Sequence, residues 1–102
     1  MTGMIDRILE RAQKASNPKN IPDILLGRAR TLSDAIQTHI RSGAFAVAKE
    51  LMNRLWEVVE ITESIGYPIT ANEIRREALK LEEAIINEER ARIERLREWA
   101  KR

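Results

Sequence analysis

Residues 69–102 read ITANEIRREALKLEEAIINEERARIERLREWAKR, and neither glycine nor proline interrupts them. That uninterrupted run decides the fold class. At 100° per residue, Ile74, Ala78, Leu81, Ile85, Ile93, Leu96, Trp99 and Ala100 gather on one side of a helix. Thr70 with Glu73 three residues later spells a capping box, and Ile69 and Ile74 suit a hydrophobic staple around it. The spacing predicts one helix over 71–102.

Three further helices are expected upstream. The first covers about 2–15, where Met4 or Ile5, Ile8, Leu9, Ala12 and Ala15 recur at helical spacing. SNPKN then breaks the chain, because Pro18 pushes Asn17 out of the helical region. The second covers about 22–41, opening at Pro22; Gly27, with Thr31 or Ser33 as a second cap, leaves open whether it is continuous or carries a kink or short break near 27–31. Gly43 suits the left-handed residue that closes it. The third covers about 44–65. Its apolar set, from Phe45 and Val47 through Leu55 and Trp56 to Ile65, exceeds one stripe, so it meets neighbours on two sides. Gly66 closes it, with Tyr67 and Pro68 following. No alternating strand pattern competes. The expected architecture is an all-α, antiparallel bundle of four helices with a long C-terminal helix, all in one domain spanning 1–102.

Composition narrows the function classes. At 102 residues a single core forms without a staple, and cysteine is absent, which removes disulfides, thiolate metal sites and cysteine nucleophiles together. No apolar run approaches the roughly 20 residues of a membrane span, and the N-terminus lacks an uninterrupted apolar region. A cytoplasmic protein without membrane contact is expected. Arg outnumbers Lys thirteen to five and Glu outnumbers Asp thirteen to three. With scarce Gln, that usage points toward a heat-adapted source.

Catalytic constellations are missing. His39 is the only histidine, and neither Asp34 nor Glu50 stands at ligand spacing from it. The four glycines are isolated, so no phosphate loop exists. Glu82 with Glu83, and Glu88 with Glu89, point about 100° apart on a helix and share no site. The expectation is a non-enzymatic protein with no cofactor and no metal.

The net charge is +2, and its distribution matters more than its size. Residues 1–49 hold eight basic and four acidic residues, whereas residues 73–102 hold nine and eight. The basic tail is therefore nearly neutral, and its arginines are answered by Glu one turn away, as in Glu88–Arg92. A phosphate-binding face needs a local positive surplus. The candidates for one are Arg7, Arg11, Lys14, Arg28, Arg30 and Arg41. They support the alternative reading, a nucleic-acid-associated bundle such as a small subunit or coat component of a nucleoprotein particle.

Helix length favours a different reading. A 71–102 helix spans about 48 Å, and a compact domain of this size is roughly 34 Å across. About ten residues then outrun the bundle, and they carry Ile93, Leu96, Trp99 and Ala100 on one side. Glu89 divides this segment from the apolar residues before it. An exposed apolar patch of that kind marks a contact site. The leading expectation is an interaction and assembly module that self-associates there, with a homodimer favoured and another protein as a further partner.

Overall fold

The computed structural model describes residues 20–101, and these form three helices: α1 (Asn20–Ser42), α2 (Phe45–Ser64) and α3 (Pro68–Ala100). The expected four-helix bundle is thus corrected to an arrangement of three helices. The anticipated helix over 2–15 lies outside the described residues. The three apolar faces converge on one buried cluster, in which Leu25, Ile36, Leu55, Val58 and Ile74 are almost completely hidden. Every described helix contributes several members, and each packs against both others.

Both helix stops follow from glycine. Gly43 has φ of 79° and Gly66 has φ of 96°, a region where a Cβ is strained. At the first stop Gly43 N–H donates to the Ile40 carbonyl and Ala44 N–H to the His39 carbonyl. At the second, Gly66 N–H donates to Glu63 and Tyr67 N–H to Thr62. Each is a Schellman closure, which satisfies the last carbonyls of the helix and reverses the chain.

One local alternative is decided and one expectation is overturned. α1 runs unbroken through Gly27, and Thr31 does not start a new segment. Its hydroxyl instead donates to the Gly27 carbonyl at 3.0 Å, a bond made inside a continuing helix. Residues buried on either side, Leu25 and Ala29, hold the helix together across the glycine. α3 begins at Pro68, not after a Thr70 cap, and no side chain caps it. Proline brings a preset φ and no N–H, so the first helical position costs it nothing. Thr70 becomes an ordinary helical residue.

α2 and α3 pair antiparallel in a constant register. Lys49 Nζ meets the Glu89 carboxylate at 3.1 Å, Trp56 Nε1 donates to Glu82 Oε1 at 2.7 Å, and Arg75 meets Glu63 at 2.5 Å. Each link advances seven residues on α2 and steps back seven on α3. Heptad spacing is what two helices keep when they wrap along one seam. Continuing that register sets Phe45, the first residue of α2, level with Ile93. Residues beyond Ile93 on α3 therefore have no α2 beside them.

Candidate interaction surface on the long helix

α3 is 33 residues long, about 50 Å at 1.5 Å per residue. Its core face is built by Ala71, Ile74, Ala78, Leu81 and Ile85, all buried, and no fully buried residue follows Ile85. The helix nevertheless continues to Ala100. It does so because its own i to i+4 bonds need no neighbour, and because Glu, Arg and Leu are good helix formers.

The four residues singled out on this segment are all exposed. Ile93 is 46 %, Leu96 65 % and Trp99 75 % accessible, and Ala100 is exposed as well. These fractions are high for large apolar side chains. Leu96 and Trp99 prolong the direction of the core face past the level at which α2 begins.

Two further apolar residues belong to the surface. Leu79 and Ile86 are 53 % and 55 % exposed, alongside the packed part of α3. With Ile93 and Ala100 they form a row at seven-residue intervals, Leu79, Ile86, Ile93 and Ala100. Seven residues fall about 20° short of two full turns, so the row drifts only about 60° over its length. The signal for this row was present in the sequence as a heptad spacing, but it is hidden among the residues that face the core.

Arg92 fixes where the free segment begins. Its Nη2 donates to the Arg41 carbonyl at 3.1 Å, and its guanidinium stacks over the Phe45 ring at 5.5 Å. Its Nε lies 3.5 Å from Glu88, and Glu88 also accepts from Arg95 at 3.1 Å. α3 is thus clamped to the α1–α2 turn, and only the turns after it stand clear. Glu89 interrupts the apolar side because it is the partner of Lys49.

The carboxylate pairs are structural. Glu82 holds the Trp56 indole, Glu89 holds Lys49 and Glu88 holds two arginines. Among the described residues no group of three or more His, Asp or Glu side chains could hold a metal ion, and no helix is long and apolar enough to cross a membrane.

The basic candidates separate. Arg7, Arg11 and Lys14 lie outside the described residues. On α1, Arg30 and Arg41 are exposed on one side, while the half-buried Arg28 points about 160° away from Arg30. Arg30 lines a furrow between α1 and α3 together with Asp34, Glu73 and Glu77, so acidic groups offset it. Ser33 crosses that furrow to donate to Glu77 at 3.1 Å. Arg41 and Lys80 share the neighbouring stretch, again with Glu77. Comparison with known proteins adds no further guide: no family model, curated protein or solved structure matches the chain.

Proposed function

We propose that this chain is a non-enzymatic helical assembly module that associates with a second copy of itself through the end of α3. One observation carries the reading: Ile93, Leu96 and Trp99 stay largely exposed on a helical segment that runs on past the level of Phe45, where α2 begins. Burying a Leu or Ile side chain contributes about 1.5–3 kcal/mol, and Trp offers a still larger apolar area. A contiguous set of such side chains left in water is a strong incentive to associate. The flanking charges keep the segment helical and hydrated while it is free.

The test is the particle mass by light scattering over a range of protein concentrations. Mass should rise toward twice the chain mass, and Trp99→Glu should return it to that of one chain. A wild-type protein that stays monomeric at high micromolar concentration overturns the proposal. Nucleic acid serves as the contrasting arm. A steeply salt-dependent complex with duplex or single strands, abolished by Arg30→Glu with Arg41→Glu, would favour the charge-driven alternative instead.

A further inference from the structure

The apolar row on α3 is a palindrome in its spacing. Leu79, Ile86, Ile93 and Ala100 follow one another at intervals of seven. Turning a second copy around a two-fold axis between Glu89 and Arg90 lays Leu79 against Ala100 and Ile86 against Ile93. Every apolar member then meets an apolar member. Self-complementarity of one patch is what a two-fold interface demands.

The charges beside the row break the symmetry between the two possible directions. Glu83 flanks its first half and Arg97 flanks its second half, each about 40° from the nearest apolar position. Neither residue makes an ion pair among the described residues, whereas Glu82 and Glu89 are already engaged with Trp56 and Lys49. An antiparallel pairing brings Glu83 of each copy beside Arg97 of the other. A parallel pairing in register would carry the Glu83 and Arg97 flanks of the two copies to opposite sides of the seam, where neither meets the other. Opposite charges meeting on one flank favour the antiparallel orientation, which alone brings these two residues together.

We infer that two copies of this chain pair antiparallel along α3, from Leu79 to Ala100, with Glu83 of each copy answered by Arg97 of the other. The inference rests on the self-association proposed above and goes further, because it fixes orientation, register and the residues outside the overhanging end that take part. The free turns of one copy then lie along the packed half of α3 of the other, so Ile93 and Ala100 of each overhang gain apolar neighbours, with Leu96 at the edge of the contact. A left-handed wrap suits a strict seven-residue row.

The chain has no cysteine, so single introduced thiols report on this geometry cleanly. Leu79→Cys and Ala100→Cys both alter exposed positions and leave the core intact. Under mild oxidation an equimolar mixture of the two variants should yield the mixed disulfide dimer, and neither variant alone should cross-link. Ready cross-linking of Ala100→Cys with itself would mean that the helix ends meet tip to tip or in parallel. That result overturns the antiparallel inference and leaves self-association standing. A wild-type chain that is monomeric by light scattering removes both. Charge provides an independent check. Arg97→Glu should weaken the dimer roughly tenfold or more, and adding Glu83→Arg in the same chain should restore it. A double variant no tighter than the single one overturns the register.

Discussion

The guanidinium of Arg92 occupies the space where a side chain on Gly43 would begin. A Cβ built on Gly43 would lie 2.5 Å from Arg92 Nη1. The same guanidinium donates to the Arg41 carbonyl at 3.1 Å, one of the last carbonyls of α1. A cation is well placed there, because the C-terminus of a helix carries partial negative charge. The turn between α1 and α2 and the clamp on α3 therefore meet at Gly43, where a side chain would push the Arg92 guanidinium aside.

That contact separates two glycines of similar backbone conformation. Gly43→Ala and Gly66→Ala each place an alanine at positive φ, at a cost of about 1–2 kcal/mol. Only Gly43 has a neighbour to displace, since nothing approaches within 4 Å of a Cβ on Gly66. Chemical denaturation should show Gly43→Ala to be the more damaging, by about 1 kcal/mol. The excess should vanish when both are compared in an Arg92→Ala background.

Burial sets the scale of apolar truncations. Leu55 is fully buried at the meeting of the three helices, so Leu55→Ala should lower stability by about 2–5 kcal/mol. Leu79 is half exposed, and Leu79→Ala in dilute solution should stay within about 0.5 kcal/mol of the parent. Urea titrations of the two variants at low concentration check the contrast. A comparable loss in both would mean that Leu79 is covered in the folded monomer.

The Lys49–Glu89 pair should be worth little despite its good geometry. The two side chains are 56 % and 38 % exposed, so solvent screens them. A double-mutant cycle with Lys49→Ala and Glu89→Ala should return about 0.2–1 kcal/mol. Molar salt should remove most of it.

Thr62 is the one fully buried polar side chain of α2, and its hydroxyl donates to the Val58 carbonyl at 2.6 Å. That carbonyl also accepts within the helix, so it is not orphaned when the hydroxyl goes. Thr62→Val exchanges one modest hydrogen bond for a buried methyl, and stability should change by about 1 kcal/mol or less. Thr62→Ala removes the methyl too and should be clearly worse, by thermal or urea unfolding.

The two tryptophans differ enough to be told apart. Trp56 is half-buried and bonded to Glu82, while Trp99 is 75 % exposed. In Trp56→Phe the remaining emission should be that of a solvated indole, readily quenched by iodide at low concentration. Quenching should fall as concentration rises if the end of α3 becomes covered. Trp56→Phe itself should cost about 1 kcal/mol for the lost bond.

Much of this architecture is legible in local pattern. Gly43 and Gly66 mark the helix stops because only glycine takes their backbone conformation readily, and that property travels with the residue. Ile74, Ala78, Leu81 and Ile85 fall on one face by spacing alone, and so do the exposed Ile93, Leu96 and Trp99. Leu79 and Ile86 fall off that face by spacing, but an apolar side chain in a sequence does not say whether the flank it lies on has a neighbour.

What the amino-acid sequence determined by itself was the helical class, the two glycine stops and the long unbroken final helix. Each depends on residues within one or two turns of each other. The number of described helices that share the core, the continuity of α1 through Gly27 and the start of α3 at Pro68 were decided by tertiary packing. So were the partners of Lys49, Trp56 and Arg92 and the boundary where α3 runs free. These depend on which helix lies alongside at a given level, and contacts between residues tens of positions apart are set by the register of α2 on α3, a property no local spacing encodes.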